Sequence, residues 1–289
     1  MLTAATISSV VAAALAEDAP WGDVTCEAFV PPSATATAQL RARTDGVLAG
    51  AEVFTAAFTL TDPGTAVSFR VHDGARFLSG DVLAEVQGPA AAVLRAERIG
   101  LNFAQRMSGI ATLTAAYVAE AAGTRARIVD TRKTTPGLRA LERHAVRAGG
   151  GYNHRFSLSD AVMVKDNHLA VAAAQGLSIT DALLAARNRL GHTTHLEVEV
   201  DRLDQIEPVL AAGVDTIMLD NFSLADLHAG VQQVAGRAIV EASGTIRLEQ
   251  VRAVAETGVD VISVGALTHS APALDLGLDV AVAGPDAQD

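Results

Sequence analysis

Cysteine is all but missing: Cys26 is the only one among 289 residues. An internal disulfide is therefore excluded, and so is a metal site built on cysteines. Aromatic residues are scarce at 4%, and none is interleaved with a basic stripe. The formal net charge is -11, so positive charge is in short supply and nucleic acid is not an expected partner. No apolar run reaches the length that crosses a bilayer, so no membrane partner is expected either. The opening Met1 to Ala16 is apolar but has no leading Lys or Arg of the kind a secretory signal carries. Its Ile7, Val10, Val11, Ala14 and Leu15 recur at helical spacing, which predicts an amphipathic helix and a cytoplasmic protein.

What is present suits a folded globular chain. Hydrophobic residues make up 49% and charged residues 19%, which argues against disorder. A chain of this length can bury one large core or two smaller ones. Residues 17–25 read as a polar turn punctuated by Pro20 and Gly22. Residues 35–43, 67–71 and 82–87 read as strands, and 47–58 as a helix entered through a short strand. Together these give a small α+β domain with an open sheet. The 72–88 segment resembles the hairpins of carrier domains that modify a lysine, but no lysine precedes Lys133; a structural hairpin is expected. Residues 91–122 read as one long helix with Gly109 as its weak point, and Arg98, Asn102, Gln105 and Arg106 share a face of it.

From Arg125 onward the rhythm changes. Strands are expected at 128–130, 161–164, 196–200, 216–219, 238–241 and 261–264. Helices are expected at 136–148, 169–190, 203–212, 224–235 and 248–257. Repeated strand–helix units imply parallel strands with right-handed crossovers. An α/β barrel, complete or short of a strand, is the simplest closure. A doubly wound open sheet is the alternative, and it lacks a GxGxxG after any strand.

The cations of this acidic chain gather between residues 130 and 155: Arg132, Lys133, Arg139, Arg143, His144, Arg147, His154 and Arg155. Such a cluster behind a short buried strand points to a pocket for a multiply anionic small molecule. Gly149-Gly150-Gly151 inside it allows close backbone approach or positive φ. The later strands also end in polar or permissive residues: Lys165, Glu197 and Glu199, Asp220-Asn221, Glu241 with Ser243-Gly244, and Gly265. At the carboxyl ends of barrel strands such a ring is the active-site face. Glu197 and Glu199, two apart on a strand, point to one side. There they need Arg132, Lys133 and Lys165 as ionic partners or, with Asp220, hold Mg²⁺ through oxygen ligands; a structural ion-pair network is the third option. Ser243-Gly244-Thr245-Ile246 and Ser263-Val264-Gly265-Ala266 are small-residue turns whose backbone N–H groups suit a phosphate.

Nine strings carry a family resemblance: ALAEDAPWGDVT, ERIGLNFAQRMSGIAT, DTRKTTPGLR, AVRAGGGYNHRFSLSD, VKDNH, LEVEV, IMLDN, EASGTI and GVDVISVGALTHS. They run in order over nearly the whole chain, and with them the sequence resembles the quinolinate phosphoribosyltransferase family. The resemblance implies an α/β fold: an incomplete α/β (TIM-like) barrel over 111–271 and a smaller N-terminal α/β sandwich domain over 1–110, on which the tail 272–289 packs back. It implies a homodimer, in which one subunit's N-terminal domain closes over the other's barrel mouth. The implied reaction converts quinolinate and phosphoribosyl pyrophosphate to nicotinate mononucleotide, pyrophosphate and CO₂ with Mg²⁺, in NAD biosynthesis.

Carried over residue by residue, the resemblance has Arg98, Arg132, His154, Arg155 and Lys165 hold the substrate carboxylates, with Arg98 reaching the neighbouring site. Thr131 belongs to the same substrate site. Lys133 approaches the phosphates and the leaving group, and Glu199 and Asp220 lie near the ribose and its metal; these three are the catalytic assignments. Ser243, Gly244, Gly265 and Ala266 bind the 5-phosphate, and Thr245 and Val264 belong to the same substrate site; Thr245 stands where the family usually has Gly or Asn, which argues against a phosphate contact by its side chain. The chemistry agrees with the residues. Cleaving the ribose C1–pyrophosphate bond builds positive charge on ribose and negative charge on the leaving group, and carboxylates and cations stabilise the two.

Overall fold

The structure, a computed structural model, describes residues 2–283. Met1 and the last part of the expected tail, 284–289, lie outside the described residues. In chain order the first elements are α1 (Ala4–Asp18), α2 (Val24–Phe29), β1 (Thr35–Ala42), β2 (Gly46–Val47), α3 (Ala51–Thr61), β3 (Ala66–Phe69), β4 (Arg76–Phe77), β5 (Val82–Pro89) and α4 (Ala90–Ala121). Next come β6 (Arg127–Val129), α5 (Arg139–Ala148), β7 (Val162–Val164), α6 (Asp166–Ala174), α7 (Ile179–Arg187) and β8 (Leu196–Val200). The chain ends with α8 (Ile206–Leu210), β9 (Thr216–Asp220), α9 (Leu224–Val234), β10 (Ile239–Ser243), α10 (Val251–Glu256), β11 (Val261–Ser263), α11 (Ala266–His269) and β12 (Leu276–Ala283). One compact unit holds the residues up to Ala115, Thr134–Gly150 and those from Leu267; the other holds Ala116–Lys133 and Gly151–Ala266.

The first unit is built on an antiparallel sheet in the order β12-β1-β5-β3. The alternation of β1 buries Ala36, Ala38, Leu40 and Ala42 on one face, and Leu40 lies opposite Leu278 of β12 and Ala84 of β5. On α3, Phe54 and Phe58 are fully buried with ring centroids 4.8 Å apart; burying each contributes on the order of 1.5–3 kcal/mol. The 72–88 segment is not a hairpin of its own. After the turn at Gly80 (φ 92), β5 enters the main sheet between β1 and β3, while β4 pairs with β2.

The polar turn expected at 17–25 gives way to helix α2, because Asp23 caps it by accepting the Thr25 and Cys26 N–H groups, both at 3.0 Å. Cys26 is buried, and burial first, then its bond with Asp23, pushes the thiol up to about 11. Helix α4 does not weaken at Gly109. A Cβ there would lie 1.9 Å from the Pro272 carbonyl oxygen, so the glycine admits a backbone. The triple glycine acts in both expected ways: a Cβ on Gly149 would lie 2.4 Å from the Ala111 carbonyl oxygen, and Gly150 has φ 86.

The expected polar face of α4 is divided in use. Gln105 donates to the Leu276 carbonyl at 2.8 Å. Arg106 donates to buried Glu142 at 2.8 Å and to the Ala271 carbonyl at 3.0 Å. Arg98 and Asn102 stay exposed.

The second unit is a parallel sheet in the order β6-β11-β10-β9-β8-β7. Its first strand pairs with its last, Val129 of β6 lying opposite Ser263 of β11. A doubly wound sheet reverses its order at a central crevice instead, so the cyclic order is that of a barrel. On the free edge of β6, the Tyr152 N–H donates to the Ile128 carbonyl at 2.8 Å and its carbonyl accepts from the Asp130 N–H at 3.1 Å. Among the described residues no ladder joins Tyr152 to β7, and the barrel is open there. The single helix expected at 169–190 is two, α6 and α7, parted at Gly176 (φ 77) and restarted by the Ser178 cap. No single helix among the described residues is long and apolar enough to cross a membrane; α6 and α7 meet that test only as a pair bent by 103°.

Candidate active site

A cavity of about 530 Å³ opens where the barrel strands end. It receives Met163 of β7 with Lys165 just beyond, Glu199 of β8, Met218 and Asp220 of β9, Glu241 and Ser243 of β10, and Ser263 of β11 with Gly265 just beyond. Residues two apart on a strand share a face, which is how β9 and β10 each deliver two positions to one space and how β7 and β11 each deliver one with a second just beyond the strand. The register stacks them: Met218 lies opposite Glu199 and Glu241, and Ser243 opposite Asp220. The turn after β10 adds Gly244 and Thr245.

Thr131, Arg132 and Lys133, following β6, complete the wall with His154 and Arg155. Fully buried Asp130 ties these two stretches together, accepting Asn153 Nδ2–H at 2.6 Å and the His154 N–H at 2.7 Å.

The lining carries Arg132, Lys133, Arg155 and Lys165 together with Glu199, Asp220 and Glu241. The Lys165 ammonium is held by Glu199. Asp220 accepts from Asn221 Nδ2 at 2.7 Å. Arg155 donates to the Ala161 carbonyl at 2.8 Å, and burial, then the charge of Arg132, lowers its affinity for its proton. Guanidinium groups that oppose each other in this way favour an anionic guest.

Beneath them, His154 Nε2 sits 3.2 Å from Glu197 and 3.4 Å from Glu241, both buried. Burial works against a charged ring, but the bonds to the two carboxylates outweigh it and raise His154 to about 10. The Arg155 N–H, 2.8 Å from His154 Nδ1, opposes that rise, since a second ring proton would meet it there. Two carboxylate charges are the stronger influence. Burial, relieved in part by His154, raises Glu197 above the usual carboxylate range. The second oxygen of each glutamate is buried without a hydrogen-bond partner. His154, Glu197 and Glu241 also form a group of the kind that can hold a metal ion.

Most of the residues expected from the sequence meet in this cavity: Thr131, Arg132, Lys133, His154, Arg155, Lys165, Glu199, Asp220, Ser243, Gly244, Thr245 and Gly265. Arg98, Val264 and Ala266 do not line it. Arg98 is exposed on α4. Val264 is buried and its N–H is bonded to the Val129 carbonyl at 3.0 Å, so that amide is committed to the sheet. Ala266 opens α11. Met163 and Met218 also line the cavity, and the sequence pattern singles out neither; Asn221, Glu241 and Ser263 stand in the expected ring of strand ends and turns but carry no individual role there.

The missed signal was the strand period. Met163 and Met218 each stand two before an expected site residue, Lys165 and Asp220. A second signal was scarcity: Lys133 and Lys165 are the only lysines in the chain, and both line the cavity. Amine-selective acylation followed by peptide mapping should therefore place every lysine adduct here. Saturating inorganic pyrophosphate should slow both reactions; unchanged labelling would show that anions do not settle beside these amines.

Residues 23–108 match the family described as Quinolinate phosphoribosyl transferase, N-terminal domain, and residues 110–279 match its C-terminal domain. The chain is 41% identical over 273 residues to the probable nicotinate-nucleotide pyrophosphorylase [carboxylating] of Bacillus subtilis, covering 94% of this chain and 93% of that one. It is 45% identical over 276 residues to the nicotinate-nucleotide pyrophosphorylase [carboxylating] of Mycobacterium leprae, covering 92% and 94%. Among solved structures, NadC from Streptococcus pyogenes superposes with a TM-score of 0.93 at 41% identity, covering 98% of this chain and 99% of that one.

Proposed function

The chain belongs to the quinolinate phosphoribosyltransferase family, and we propose that it joins quinolinate to phosphoribosyl pyrophosphate, releasing pyrophosphate and CO₂ and leaving nicotinate mononucleotide for NAD biosynthesis. The observation that carries this reading is the single cavity. It joins Arg132, Lys133, Arg155 and Lys165 to Glu199 and Asp220 and to the Ser243-Gly244 and Gly265 turns. A pyridine dicarboxylate needs planar cationic clamps, which Arg132 and Arg155 offer, with Lys165 beside them. Lys133 is suited to the charge that grows on the departing pyrophosphate, and Glu199 and Asp220 to the charge that grows on the ribose. Small-residue turns fit the 5-phosphate. No side chain acts as a covalent nucleophile, because the pyridine nitrogen attacks C1.

Magnesium suits this donor set. Glu199 and Asp220 offer hard carboxylate oxygens beside open space for water and phosphate, whereas the His154 group brings a nitrogen already set between carboxylates. When bound, the ion would neutralise charge on the pyrophosphate. His154 serves the site from beneath, its Nε2 set between Glu197 and Glu241.

The reading includes a homodimer in a cytoplasmic setting, with Arg98 entering a second copy's cavity. Exposure of Arg98 on α4, and of Trp21, Val24 and Phe29 at 93%, 76% and 83%, supports a covered surface in the assembled protein. Mixing Arg98→Ala with Lys133→Ala subunits should restore activity that each variant lacks; no recovery after verified subunit exchange would rule out sharing. The reaction itself is tested by incubating protein, Mg²⁺, phosphoribosyl pyrophosphate and quinolinate beside other aromatic acids. Nicotinate mononucleotide is the expected product, and its absence across pH and metal conditions defeats the proposal.

A further inference from the structure

Asn221 is one of two non-glycine residues with positive φ among the described residues, at 57°, the other being Ala235 at 49°. L-residues enter this region at a conformational penalty, and asparagine more readily than most. Ala235 ends α9, where a left-handed residue is a common helix stop. Asn221 has no such local reason. It follows β9 at the mouth of the cavity and is held from three sides. Its N–H donates to the Ser243 carbonyl at 3.0 Å. Its side-chain amide donates to Asp220 Oδ2 at 2.7 Å. Its Oδ1 lies 2.6 Å from where a Cβ on Gly244 would sit, and Gly244 has φ 128.

The amide orientation follows from Asp220, which, as a carboxylate, only accepts; the NH₂ faces it and the carbonyl faces Gly244. A larger residue at 244 would drive Asn221 away from Asp220, so the two positions form one device. Strained backbone over-determined by neighbours is a mark of functional sites when it is observed rather than assumed. Resting on the reaction proposed above, we infer that Asn221 is a positioning residue for the phosphoribosyl donor. It fixes the Asp220 carboxylate toward the ribose and its metal while shaping the Ser243-Gly244 phosphate turn. It serves the donor half of the cavity and leaves the dicarboxylate half alone.

Asn221→Gly tests this without straining the backbone, since glycine accepts the same φ and only the amide is lost. Phosphoribosyl pyrophosphate binding, titrated calorimetrically with Mg²⁺ present, should weaken roughly tenfold or more, as expected for a lost charge-assisted hydrogen bond. The KM for the same substrate should rise in parallel, the KM for quinolinate should stay within about twofold, and the melting temperature should hold. Gly244→Ala should give the same split. Ala235→Gly, the other left-handed site, should leave both KM values unchanged. Donor binding that is unaltered in Asn221→Gly, or equal weakening for both substrates with a fallen melting temperature, overturns the inference. If the wild-type protein neither binds the donor nor turns over, the proposed reaction itself fails, and that outcome is separate from the variant's behaviour.

Discussion

Lys133→Ala should keep its fold and lose roughly 10²–10³-fold in kcat/KM, the range found when one group that stabilises transition-state charge is removed. Lys133 is exposed at the cavity wall, so the change in stability should stay within about 0.5 kcal/mol. The loss should fall on kcat as well as KM, because the charge Lys133 meets grows only as the C1–oxygen bond breaks. Lys133→Arg should recover part of it, since charge returns but a planar guanidinium replaces a compact ammonium. Steady-state kinetics with urea unfolding decides this. A variant that melts early, or one that turns over normally, removes Lys133 from the chemistry.

His154→Ala should act oppositely, mainly on the fold. It leaves Glu197 and Glu241, each about 3% exposed, without the ring between them, and breaking a buried charge group from one side costs roughly 3–5 kcal/mol. Removing one of the two negative charges with Glu197→Gln in the same chain should return part of the loss. The pH dependence carries a sign. His154 is raised from 6.5 to about 10 in the folded protein, so the stability it contributes is complete below pH 6.5 and fades as pH climbs through about 10. The gap between wild type and His154→Ala should therefore be widest below pH 6.5 and close above about pH 10. Urea midpoints for both proteins at pH 6, 8 and 10 test it, with parallel curves contradicting the account.

How the site was read from sequence, and where the reading failed, follows from locality. LEVEV announces β8 without help, since Leu196, Val198 and Val200 alternate with Glu197 and Glu199 and all five lie within the observed strand. The Ala- and Leu-rich run of α4 is equally plain. Helix α2 is not, because six residues hold a helix only through the Asp23 cap. Nor is β12, whose pairing partner β1 lies over two hundred residues away in the chain. The carboxylates and cations of the cavity were visible as a ring of strand ends, but the partner of Glu197 was not. His154 reaches it through a loop fixed by buried Asp130, and no periodicity encodes that return. Arg98 shows the converse: the family strings name it, while the described residues leave it exposed on α4.

Everything here depends on one cavity performing both bond cleavage at ribose and loss of a carboxylate. Quinolinate labelled in its 2-carboxylate, mixed with protein, Mg²⁺ and phosphoribosyl pyrophosphate, should release labelled CO₂ and pyrophosphate in equal amounts, with none released when the phosphoribosyl donor is left out. Pyrophosphate without CO₂, or CO₂ without the donor, would contradict that account.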